Sequence, residues 1–66
     1  MEPVPGNLVR DHSIGGAIGL VTEIERVPRG IHRNRREVWV VQLMDGRKVR
    51  HLDVTLYKLE VINESR

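Results

Sequence analysis

The 66-residue sequence predicts an all-β fold: a small five-stranded barrel with one short helical turn before the last strand. Three observations carry this. Apolar and β-branched residues fall in short runs bounded by Gly, Pro, Asn and Asp. Asp45-Gly46 stands between two such runs, the strongest short-range hairpin signal available. Glycines and β-branched residues interrupt every window long enough for a helix, which disfavours a helical bundle. Short strands in a small chain gain from closure, because a closed sheet leaves no unpaired edge.

Taken in order, residues 1–6 hold two prolines and little to pack, and read as a flexible tail ahead of one domain spanning 7–62. Pro5-Gly6-Asn7 is a turn and "NLVR" a short first strand. "DHSIGG" is a loop. "AIGLVTEIERV" is the second strand, with Ile18, Leu20 and Ile24 on one parity. Val21 breaks that alternation, and Gly19 permits a bulge or a close backbone approach. Pro28 ends the strand, since proline cannot donate to a ladder. "PRGIHRNRR" is a long loop and "EVWVVQLM" the third strand. A two-residue turn at Asp45-Gly46 leads to the return strand "RKVRHL". "DVTLYKL" contains the helical turn, capped by Asp53 or Thr55. "EVIN" is the last strand, and 63–66 is a polar end.

A chain this short buries only about 60% of the surface its unfolded form exposes, so its core is small. It has no cysteine, hence no disulfide and no thiolate metal site, which suits a reducing compartment. His12, His32 and His51 lack zinc-motif spacing, and neither metal nor cofactor is expected. No apolar run approaches the roughly 20 residues that span a bilayer. "MEPVPGN" has no basic or apolar region of a secretory signal. A cytoplasmic protein with no membrane partner is expected.

The formal charge is only +2, but nine of the eleven basic residues are arginine. Arginine presents a planar fork matched to phosphates and carboxylates. The carboxylates are scattered, whereas the basic residues cluster at 26–36 and 47–51. That distribution points to an acidic partner.

Three stretches resemble SH3-like barrels of the KOW/Tudor kind. Gly16–Ile24 resembles the G-x-x-G-x-V-x-x-I core of KOW segments. "VWVVQLMDGRKV" resembles their V-x-V-x-[WFL]-x-D-G hairpin. "LYKLEVI" is similar to their closing turn and strand, and "NLVR" to their entry strand. The resemblance covers residues 7–62 and implies an SH3-like barrel. Small stand-alone proteins of this pattern are common in tailed phages, notably those of marine cyanobacteria, which would place the chain in a host cytoplasm. KOW domains bind RNA or protein. Tudor-like domains hold methylated side chains in an aromatic cage, which one Trp, one Tyr and no Phe can hardly assemble. The hairpin resemblance also sets the register: Trp39, Val41 and Leu43 face inward, and Val38, Val40 and Met44 outward. The reverse register would expose Trp39 for base stacking.

The candidate binding residues are Arg26, Arg29, His32, Arg33, Arg35 and Arg36 of the loop, extended by Arg47, Lys48 and Arg50 after the Asp-Gly turn. They suit an RNA or DNA backbone or an acidic protein surface. Pairing of these arginines with Glu23, Glu25 and Glu37 is the main rival reading, because a self-neutralised surface attracts phosphates poorly. The outward stripe Val38, Val40 and Met44 suggests a protein interface, within a larger assembly or with a second copy. Gly15, Gly16 and Gly19 lack the following helix and lysine of a phosphate loop, and read as turn and bulge. Asp11-His12 and His51/Asp53 resemble acid–base pairs, but a barrel this small offers no deep pocket for catalysis. The expectation is a non-enzymatic binding module for RNA or DNA. The alternative is a phage-type interaction or virion-assembly module using the Val38/Val40/Met44 face.

Overall fold

Alternation along residues 35–43 puts Trp39, Val41 and Leu43 on one face of a strand, and burying that face organises the domain. The computed structural model describes residues 2–28 and 35–62. Five strands form one antiparallel sheet: β1 (Leu8–Asp11), β2 (Ala17–Pro28), β3 (Arg35–Leu43), β4 (Lys48–Leu52) and β5 (Leu59–Val61). Their order is β4-β3-β2-β1-β5. A 3-10 turn at Asp53–Lys58 precedes β5, as expected, and a second at His12–Ile14 follows β1. The all-β class and the five strands therefore stand. Among the described residues no helix is long and apolar enough to cross a membrane.

The core joins Val9, Val21, Trp39, Val41, Leu43, Leu56 and Leu59, with Ile14, Ala17, Ile24, Val49 and Val61 packed against it. The inward register of Trp39, Val41 and Leu43 is the observed one. The expected shared parity of Ile18, Leu20 and Ile24 is not. Val21 pairs with Val41, but Glu23 pairs with Val40, so Thr22 is the extra residue of a bulge. One extra residue flips every later side chain to the other face. Val21 and Ile24 therefore both serve the core, while Leu20 is 39% exposed.

Gly19 marks a close approach. A Cβ there would stand 2.7 Å from Val41 Cγ1 and 2.9 Å from the Gln42 carbonyl oxygen. Gly19→Ala is expected to lower stability by about 1–3 kcal/mol through overpacking. A urea titration reads this as a lower midpoint with unchanged slope. An unchanged midpoint would show that β3 can give way.

The β3–β4 connection differs from the expected two-residue turn. Leu43 N–H donates to Arg47 O at 2.7 Å and Gly46 N–H to Leu43 O at 3.0 Å, enclosing a three-residue loop, Met44–Gly46. Only Gly46 takes a positive φ, +96°. Asp45 keeps an ordinary φ because its carboxylate accepts from Arg47, from the backbone N–H at 3.0 Å and from Nε at 2.7 Å. The backbone bond foremost holds this carboxyl below its usual range. A three-residue loop with glycine in the left-handed position satisfies both strands.

Residues 2–6 do not form the expected tail. Pro3 and Asn7 are buried. The Trp39 indole Nε1–H donates to Pro3 O at 3.0 Å, Gly6 N–H to Val21 O at 2.9 Å and Val21 N–H to Asn7 O at 3.0 Å. Proline has no N–H to give, but its carbonyl satisfies a buried indole. The expected caps of the 53–58 turn also fail. Its N-cap is Leu52, without a side-chain bond, and Thr55 Oγ1 donates back to Leu52 O at 3.1 Å.

Candidate nucleic-acid interface

Strand register decides where the basic residues go. β1 pairs with β2 only over Ala17–Leu20. β4 reaches no further along β3 than Val38, opposite Leu52. Beyond that row, among the described strands, β2 and β3 pair only with each other: Arg26 faces Glu37, Val27 faces Arg36 and Pro28 faces Arg35. The sheet thus narrows to a two-stranded ribbon that carries the basic segment at its end. Arg29, His32 and Arg33, expected to contact the partner, lie outside the described residues. From 26 to 37 the sequence holds five arginines and one carboxylate, Glu37.

Some of the basic candidates are already engaged. Arg26 Nε lies 3.5 Å from Glu37 Oε2, directly across the ribbon, and both are well exposed. Arg47 is held by Asp45. Arg50 Nε lies 3.4 Å from Glu25 Oε1. The rival reading of self-pairing with Glu25 and Glu37 therefore applies to Arg50 and Arg26, and Arg47 pairs instead with Asp45 in its own turn. Arg36 is half-buried, and Lys48 is exposed opposite Gln42. Arg47, Lys48 and Arg50, expected to extend the basic patch, are spread along β4 and the turn before it. Lys48, opposite Gln42, and Arg47, bonded to Leu43, stand six and seven residues along β3 from Arg36, or about 20–23 Å at ~3.3 Å per residue. Arg50 stands midway, opposite Val40.

The expected outward apolar stripe is mostly covered. Val38 is 8% and Val40 1% exposed; Met44 alone is open, at 79%. Register explains this. Glu25 stands opposite Val38 on β2, and Arg50 opposite Val40 on β4. Their ion pair therefore crosses β3 on the face that carries the two valines. Among the described residues the exposed large apolar side chains are instead Val4, Leu20, Met44 and Ile62, with Val54 and Tyr57 on the 53–58 turn.

The sequence also concealed a buried polar chain. His51 Nε2 lies 2.6 Å from Asp11 Oδ2, with the side chains 5% and 0% exposed. The carboxylate can only accept, so Nε2 donates to it. Asp11 Oδ1 accepts from Ser13 N–H at 2.9 Å and Ser13 Oγ at 2.5 Å. On the other ring edge, His51 Nδ1 meets Thr55 Oγ1 at 3.0 Å. Burial pushes the Asp11 carboxyl up, but the bonds from Ser13 and His51 together outweigh it and hold it below its usual value. In place of the two local pairs, Asp11 takes His51, 40 residues away, and His12 pairs with Glu60 at 2.9 Å. The Asp–His–Thr order has the outline of a nucleophile relay. Its core is sealed from solvent, however, and it ties the end of β1 to β4 and the 53–58 turn.

Compared with protein-family models, curated proteins and solved structures, the chain matches none.

Proposed function

We propose that the chain is a non-enzymatic nucleic-acid-binding module working in the cytoplasm, an SH3-like domain that grips phosphate backbone with the end of the β2–β3 ribbon. The observation that carries this is the ribbon itself. Two strands extend past their described neighbours as far as Pro28 and Arg35, and Arg29, His32 and Arg33 lie between those strands in sequence. A dense, arginine-rich extremity lets several guanidinium groups contact successive phosphates while the domain stays clear of the polymer. Arg26 sits at the base of this grip with Glu37. Arg47, Lys48 and Arg50 contribute long-range attraction rather than contacts, given their distance from the ribbon end.

Labelled nucleic acids titrated by fluorescence anisotropy test this. Wild type is expected to bind more weakly as salt rises from about 0.05 to 0.2 M, by orders of magnitude if many phosphates are engaged. In Arg33→Ala/Arg35→Ala/Arg36→Ala, the slope of log K against log salt should fall by about 3, roughly one per lost phosphate contact. Negligible binding by wild type, or a variant that binds equally well, would overturn the proposal in favour of an acidic protein partner.

A further inference from the structure

Building on that reading, we infer that Tyr57, with Val54 and Lys58 on the same turn, is a stacking site for an unpaired base of a single-stranded nucleic acid. The sequence holds two aromatic residues, Trp39 and Tyr57. Trp39 belongs to the core, at 2% exposed, with its indole N–H bonded to Pro3. Tyr57 is 79% exposed. An exposed aromatic ring is ordinary on a protein surface and by itself marks no site. Three features of its setting give this one a use.

The first is rigidity. Thr55 Oγ1 donates to Leu52 O at 3.1 Å and meets His51 Nδ1 at 3.0 Å. Leu56 is buried in the core cluster, and Leu59 N–H donates to its carbonyl. Tyr57 thus stands between anchored residues, and its backbone has little freedom left to lose on binding. The second is what surrounds the ring. In a 3-10 turn side chains three residues apart eclipse, so Val54, 70% exposed, stands beside Tyr57 on a face that Leu56 does not share. Lys58 Nζ lies 5.8 Å from the ring centroid. A base that covers the ring brings its own phosphate within reach of that flexible ammonium.

The third is position. β4 ends at Leu52, opposite Val38, and the turn begins at the next residue. Arg36 precedes Val38 by two residues on β3. Strand rise, the gap between paired strands and the rise of the turn keep the Arg36 and Tyr57 backbones within about 25 Å of each other. Single-strand sites run roughly 4–16 nucleotides per small domain, so one strand covers both. In a duplex the bases are stacked on one another, and a duplex gains from the basic residues alone. Every base has a flat face, so Tyr57 selects for an unpaired strand rather than for a sequence. Single-stranded DNA and RNA share this chemistry.

The experiment titrates labelled single-stranded DNA, single-stranded RNA and duplex DNA of one length, over a range of salt, with wild type, Tyr57→Ala, Tyr57→Leu and Tyr57→Phe. Tyr57→Ala and Tyr57→Leu are expected to bind single strands about 5- to 150-fold more weakly, the loss of one stacked base, and Tyr57→Phe about as well as wild type. Duplex affinity and melting temperature should not move in any of the three, since the side chain is exposed. The slope of log K against log salt should also stay, because no phosphate contact is lost, whereas Lys58→Ala should lower it by about 1. A loss confined to one of the two single-stranded probes supports the site and identifies its sugar. Single-strand binding unchanged in Tyr57→Ala, or single-strand and duplex binding falling together in Tyr57→Leu, would overturn the stacking inference and leave the arginine grip standing. No binding of wild type to any probe would overturn both.

Discussion

His51→Ala is expected to cost about 3–5 kcal/mol, the loss typical of a buried pair deprived of one partner. Removal of the ring strips the Nε2 donor from Asp11, whose side chain is fully buried, and frees Thr55 at the same time. A 66-residue domain holds roughly 3–10 kcal/mol in all by per-residue norms, so the variant should lose a large part of its stability and melt well below wild type. Thermal unfolding followed by circular dichroism measures this. Adding Asp11→Ala to His51→Ala should recover part of the loss, because the orphaned carboxylate is then gone. A single variant that melts within a few degrees of wild type would show that Ser13 alone satisfies Asp11.

The same pair sets the acid limb of the stability curve. The folded-state Asp11 carboxyl lies below its ordinary value of 3.8. Its contribution is therefore present above that value and is lost as pH falls through the folded-state value. Urea midpoints should fall at strongly acid pH in wild type and fall less in Asp11→Asn, which has no proton to take up there.

Trp39→Ala is expected to be of similar size, about 3–5 kcal/mol, as for other buried large aromatics. Trp39 is both the largest core side chain and the anchor of the N-terminal segment, through its bond to Pro3 O. Trp39→Phe should keep most of the packing and lose that bond, at about 1 kcal/mol. Hydrogen exchange separates the two effects. In Trp39→Phe, protection should drop at Val4 and Gly6, which are held in the same segment, more than at Val41. Uniform loss of protection would mean that the Pro3 contact organises nothing.

Both variants bear on what could be read from residues alone. The strands, Pro28 as the end of β2, the turn before β5 and the close approach at Gly19 follow from features within a few residues of each position. Alternation, turn chemistry and proline's missing donor act locally. The arginine cluster was equally legible, because its density is a property of one contiguous stretch. Its placement was not. Whether Arg26, Arg35 and Arg36 sit on a ribbon or beside flanking strands depends on where β1 and β4 stop pairing, which no local pattern encodes.

The same limit explains the corrections. Thr22 inserts one residue and reverses the facing of Ile24, and a bulge is visible only once the partner strand's count is known. Val38 and Val40 read as an open stripe because a single strand shows its second face as uncovered, yet in the fold they are 8% and 1% exposed. The Pro3–Trp39 contact spans 36 residues and the Asp11–His51 contact 40. By itself, then, the sequence determined the class, the strands and the chemistry gathered in 26–36. The tertiary structure decided which distant groups share a burial site, since desolvation rewards a buried carboxylate for any donor the strand order brings, not for the one nearest in sequence.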